Sequence, residues 1–216
     1  MAGRITALRT QKKNPDRVNV YLDGRFAFGL AAIEAARLRV GQYLSDEEIA
    51  HLRQKDQVER VAERALDLLS YRPRSEAELR SRLGAQYDEA ALEEAIERLR
   101  RGGLLDDREF ARYWVENRFQ HNPRGKGVLR QELRQKGLED EVIEEALAGY
   151  DEAQAAGLAA QKLLRRWKGA APQLLRRRLT DALVRRGFPY SVVGPIVNRV
   201  LASGPAIDSL EEEFGP

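Results

Sequence analysis

Between about Val58 and Leu201 the chain repeats itself every fifty residues, which confines it to a small set of architectures. Leu79, Leu129 and Leu179 fall at one offset, Leu83, Leu133 and Leu183 at the next, and Leu92, Val142 and Val192 at a third. Gly137-Leu138 meets Gly187-Phe188, and Ile143 meets Val193. Apolar residues here recur with a helical period, so each copy reads as a long helix, a turn with Pro or Gly, a short helix, a turn and a third helix. A unit this small buries too little to stand alone and leans on its neighbours. The expectation is a mainly α protein of three tandem three-helix, helix-turn-helix-like repeats forming a curved array.

Local chemistry supplies the boundaries. Ser75-Glu76-Ala77-Glu78 reads as a capping box, and Asp106 precedes Glu109 by the same three residues at another helix start. Gly137 and Gly187 follow Lys136 and Arg186, the cation-then-glycine ending of a helix C-terminus.

Ahead of the repeats the period changes from helical to alternating. Val18 to Leu22 and Arg25 to Leu30 are joined by Asp23-Gly24, a pair suited to a two-residue type I′ turn. This predicts a β-hairpin with Val18, Val20, Leu22, Phe26, Phe28 and Leu30 on one face, and a third strand from Ile5 to Thr10. So small a sheet needs a cover. Ser45-Asp46-Glu47-Glu48, a further capping box, opens a helix through Ile49 and Leu52 that provides one. The organisation expected is therefore 1–57 (sheet and helix), 58–107, 108–152 and 153–203 (repeats), and 204–216 (tail).

Charge distinguishes copies that apolar residues make look alike. The net charge of +3 conceals −3 in the first repeat, −2 in the second and +9 in the third, where Asp181 is the one acidic residue, followed by a tail at −4. An excess of that size draws polyanions or an acidic protein face, and salt weakens the attraction.

Enzyme chemistry finds no foothold in these residues. There is no cysteine, which excludes disulfides, thiol catalysis and thiolate metal sites. His51 and His121 stand far apart without partners at chelating spacing. Arg124-Gly125-Lys126-Gly127 lacks the spacing and the terminal Ser or Thr of a nucleotide-binding loop. Asp106-Asp107 sits where a helix needs a cap, and Phe110, Tyr113 and Trp114, spaced i, i+3, i+4, read as core rather than as a stacking platform for bases. With no leader-like N-terminus and no apolar run of spanning length, the expected setting is cytoplasmic, with no cofactor, no metal, no membrane and no small-molecule substrate.

Two segments resemble a known family. Tyr71-Arg72-Pro73-Arg74-Ser75-Glu76-Ala77-Glu78-Leu79, followed by Gly103-Leu104-Leu105-Asp106-Asp107-Arg108-Glu109-Phe110-Ala111, are similar to the signature segments of RecX regulatory proteins, in the same order and within a threefold repeat. The resemblance covers roughly 58–201, and the sheet-bearing segment looks like the extension some members carry. It implies a monomeric, non-enzymatic regulator that binds the RecA recombinase filament in its groove near DNA and typically inhibits ATPase and strand exchange, within recombination, DNA repair and the SOS response. The third copy departs most, since Trp167-Lys168-Gly169-Ala170-Ala171-Pro172 replaces the turn of the other two.

Because packing explains the repeated apolar positions, binding is sought among basic residues. Arg74 pairs with Arg124, Arg80 with Arg130, Lys126 with Arg176, and Lys136 with Arg186 at the fifty-residue offset, and Arg72 lies in the first signature segment. Arg74 and Arg124, in turns before the second helix, either fork to a carboxylate or phosphate or serve structure alone. Lys136 and Arg186 are expected to complement helix dipoles. On the helix whose buried side is Leu175, Leu179 and Leu183, Arg178 and Arg185 share a flank and Arg177 faces away. With Arg165, Arg166, Lys168 and Arg176 they form the basic field of the third repeat. The competing reading is a helix-turn-helix-like transcriptional or architectural protein acting on single- or double-stranded DNA directly. The two acidic-leaning repeats speak against it.

Overall fold

The computed structural model describes residues 2–167 and 171–202, so Lys168 and the acidic tail lie outside the described residues. The chain divides into two compact bodies, one ending at Asp106 and one beginning at Asp107.

The first body opens with strands β1 (Gly3–Thr10), β2 (Arg17–Leu22) and β3 (Arg25–Ala31), a short turn of helix α1 (Ala32–Ala35) and a two-residue strand β4 (Tyr43–Leu44). They form an antiparallel sheet in the order β3-β2-β1-β4. The hairpin turn holds Asp23 and Gly24 at positive φ, as the type I′ geometry requires. The sheet thus has four strands where three were expected, β4 being too short to show a period of its own.

Phe26 does not share the inner face. The pairing of β2 with β3 slips between Val20 and Tyr21, so Val20 lies opposite Phe28 while Tyr21 lies opposite Phe26. The bulge turns Phe26 over. Its ring meets Tyr21 edge-on at 6.0 Å and stays 59% exposed. The inner face keeps Ile5, Val20, Leu22, Phe28 and Leu30, closed by Leu44 and by Ile49 from the next helix.

Helix α2 (Asp46–Tyr71) starts in a full capping box: Ser45 Oγ accepts from the Glu48 amide at 3.1 Å, and Glu48 accepts from the Ser45 amide at 2.8 Å. It runs on for 26 residues. Arg53 to Gln57 contain neither Gly nor Pro to break it, so the boundary drawn at 57/58 falls inside a helix. Ile49 faces the sheet, while Val58, Val61, Ala62, Ala65 and Leu68 join α3 (Glu76–Leu83) and α4 (Glu89–Arg101) around a second core with Leu79, Leu83, Leu92 and Ile96.

The second body contains α5 (Asp107–His121), α6 (Lys126–Gln135), α7 (Asp140–Leu147), α8 (Glu152–Arg166), α9 (Pro172–Arg185) and α10 (Tyr190–Ala202). One continuous core serves both repeats, joining Phe110, Leu129, Leu133, Ile143 and Leu147 to Ala156, Ala160, Leu179, Leu183 and Val193. Gly137 and Gly187 take φ of 79° and 85°, and the next amides, Leu138 and Phe188, bond back to Leu133 and Leu183. A side chain with Cβ is strained in that conformation.

Two apolar expectations need correcting. Val142 and Val192 are only half-buried, and Ile143 and Val193 hold the place of Leu92, because the first copy's turn is one residue shorter: Asp88 immediately precedes α4 where Glu139 immediately precedes α7. Tyr113 is 40% exposed, unlike buried Phe110 and half-buried Trp114, whose indole N–H donates to Glu132 at 2.9 Å.

Candidate binding surface

In the first two repeats most candidate arginines are already engaged. Arg72 forks onto Glu78 with two bonds of 3.1 Å. Arg80 joins Glu76 (2.8 Å) to Glu93 (2.7 Å), and Arg100 also reaches Glu76 at 2.6 Å. Burial works to raise the Glu76 pKa, but the bonds from Arg100 and Arg80 together outweigh it and hold the carboxyl below its usual range. The Arg80 pKa is raised by its bonds to Glu93 and Glu76. In the second repeat Arg130 forks onto Glu144 at 2.5 and 3.0 Å. Exposed pairs of this kind add little stability, because water screens them. They do occupy the guanidinium donors that a partner would need.

Arg74 uses its Nε to donate to the Leu68 carbonyl at 3.0 Å, at the end of α2. Arg124 occupies the equivalent turn, and there the Nε is buried with no acceptor. Lys126 donates its amide to Glu152 at 2.7 Å, while its side chain makes no ion pair among the described residues.

The third repeat is different. Arg165, Arg166, Arg177, Arg178 and Arg185 are exposed on α8 and α9. Among the described residues Arg166, Arg177, Arg178 and Arg185 have no carboxylate partner, and Asp181 stands exposed and unpaired on the same helix. Arg176 donates to the Asn198 side chain at 2.5 Å. Leu179 and Leu183 are buried and Leu175 half-buried, so the arginine face of α9 points to solvent.

Spacing gave no sign of two charged groups. Arg17 and Asp56 lie far apart in sequence, yet Arg17 Nη2 donates to both Asp56 oxygens at 2.9 and 2.8 Å, tying β2 to α2. Arg186 does more than end a helix. It is half-buried, and burial together with the nearby Arg124 charge depresses its pKa. Among the described residues no group of three or more His, Cys, Asp or Glu side chains is placed to hold a metal, and no helix is long and apolar enough to cross a membrane.

These features define a tandem helical-repeat protein with a small N-terminal sheet and an arginine face on its last repeat. Residues 3–45 match the RecX N-terminal domain, 62–99 the first RecX three-helix domain, 106–147 the second and 150–196 the third. The chain belongs to the RecX regulatory protein family. It is 35% identical to the regulatory protein RecX of Bacillus subtilis over 91% of this chain and 76% of that protein, and 32% identical to that of Limosilactobacillus reuteri over 92% and 77%. A crystal structure of regulatory protein RecX superposes with a TM-score of 0.69 at 31% identity, covering 91% of this chain and 99% of the other. RecX from Lactobacillus salivarius, at 24% identity and a TM-score of 0.57 over 68% of this chain and 97% of the other, shares the fold.

Proposed function

We propose that the protein is a non-enzymatic regulator of the RecA recombinase filament, seated in the filament groove near DNA, and that it lowers ATPase and strand-exchange activity. Membership of a family of regulatory proteins supports the regulatory part of this reading. The observation that carries the binding surface is the contrast between copies. Arg72, Arg80 and Arg130 are held by carboxylates, whereas Arg166, Arg177, Arg178 and Arg185 face solvent with none among the described residues. Desolvating an arginine already bonded to a carboxylate breaks that pair. An exposed, unpaired arginine meets a phosphate or acidic side chain without that loss.

The test is a titration of wild type and Arg177→Glu/Arg178→Glu/Arg185→Glu into RecA strand-exchange and ATPase assays. Wild type slows both at amounts comparable to or below RecA, and the triple variant does not. Unaltered rates with wild type overturn the regulatory reading, and a triple variant as active as wild type removes the α9 face from it. The same face also favours a second reading, direct DNA binding. That reading requires tight binding to bare duplex with a log–log salt slope of about 0.9 per phosphate contacted. It fails if such binding is weak and indifferent to sequence.

A further inference from the structure

We infer that Arg124 and Arg186 form a phosphate-binding site at the junction of the second and third repeats. The backbone brings the two residues together. The Gly125 amide donates to the Arg186 carbonyl at 2.9 Å, and Gly125 and Gly187 approach so closely that a Cβ on Gly125 would meet the Gly187 oxygen at 2.0 Å. The Tyr150 hydroxyl donates to the Arg124 carbonyl at 2.6 Å and fixes that turn from the other side. Both side chains are half-buried at this junction.

The internal repeat supplies the comparison that gives the arrangement meaning. In the first copy, Arg74 closes its Nε onto the Leu68 carbonyl. In the second, the corresponding Arg118 carbonyl is taken by the Asn122 amide, and Arg124 Nε is left buried without an acceptor. Neither Arg124 nor Arg186 has a carboxylate partner among the described residues. Glu152, close by, accepts from the Lys126 amide.

The two like charges repel each other in a partly desolvated junction and Arg124 Nε lacks an acceptor, and one anion held by both side chains would answer both. Single arginines in this chain are satisfied by single planar carboxylates, as Arg72 is by Glu78 and Arg130 by Glu144. Two arginines carried on adjoining turns, close enough for one charge to act on the other, instead suit a tetrahedral group with several oxygens and up to two charges. The phosphate comes either from a nucleic-acid strand or from a free phosphate.

The full-length protein and the variants Arg124→Gln, Arg186→Gln and the double variant are melted in inorganic phosphate and in chloride at matched ionic strength. Saturating phosphate raises the wild-type Tm by about 4 °C, and each variant loses most of that rise. In a second arm, fluorescence anisotropy follows binding of a labelled oligothymidylate, whose salt slope falls by about 0.7 for each strand phosphate released by the substitutions. A response to inorganic phosphate alone identifies free phosphate as the source. A response in the oligonucleotide arm, with or without the other, identifies a strand. Indifference in both arms overturns the site, as does an equal Tm rise in acetate. If the double variant does not fold, the single variants decide. RecA enters neither arm, so failure here is separable from failure of the regulatory reading.

Discussion

Gly125→Ala isolates the contact that joins the second and third repeats. Gly125 has a φ of −69°, so alanine meets no conformational penalty there and the whole cost is steric. The added methyl would sit 2.0 Å from the Gly187 carbonyl oxygen, 2.3 Å from its carbonyl carbon and 2.8 Å from the Phe188 nitrogen. All three are backbone atoms and cannot rotate away. Overpacking of this kind costs about 1–3 kcal/mol, and separating the turns also loses the Gly125 to Arg186 hydrogen bond, about 0.5–1.5 kcal/mol. The sum is about 3 kcal/mol, which for a body of this size lowers Tm by roughly 10–15 °C. Differential scanning calorimetry provides the assay, with Gly127→Ala as its internal contrast. Gly127, two residues on, lies inside α6 with nothing within 4 Å of the place an alanine methyl would take, and alanine there gains about 0.5–1 kcal/mol of helix propensity. Opposite signs are therefore expected from neighbouring substitutions of one type. A Gly125→Ala protein melting within about 3 °C of wild type would refute the reasoning.

Asp56→Ala strands Arg17 in a site where the two side chains are only 9% and 16% exposed, and should cost about 3 kcal/mol in urea unfolding of the first body, with loss below about 1 kcal/mol refuting the role assigned to the pair. Tyr150 is governed by burial, which pushes its pKa up to about 12 although its bond to the Arg124 carbonyl belongs to the structure. The folded state therefore favours the protonated phenol. Its contribution is complete below the ordinary value of 10.0 and is lost as pH rises from there toward 12. Ultraviolet titration should show a late phenol ionisation that is absent from Tyr150→Phe, and stability falling across that window.

What the sequence discloses depends on whether the cause is local. The repeated leucines were legible because Leu79, Leu129 and Leu179 each face a core at helical spacing, and Ser45 and Glu48 advertise their cap within four residues. Phe26 was misplaced because a bulge is decided by the partner strand, and β4 was missed because two residues carry no period. Val142 and Val192 misled because a one-residue difference in a turn shifts the helix that follows by a third of a turn without disturbing the letter pattern. Among the arginines, type and offset were legible but occupancy was not. Arg74 and Arg124 are equivalent by repeat, yet Arg74 Nε finds the Leu68 carbonyl while Arg124 Nε finds no acceptor, a difference set by residues remote in sequence such as Tyr150 and Gly187.

Helix α2 has a consequence of its own. Its first turns complete the sheet core through Ile49, Asp56 in its middle receives Arg17, and its later turns supply Val58, Val61 and Ala65 to the first repeat. Each residue added to a helix turns everything beyond it by about 100°. An insertion between Leu52 and Val58 would therefore leave one of the two cores facing its own partner and swing the other's apolar stripe into water, whatever amino acid was inserted. This stretch should tolerate changes of side chain on its outer face and none of length, so the helix serves as a phase ruler between the sheet and the first repeat.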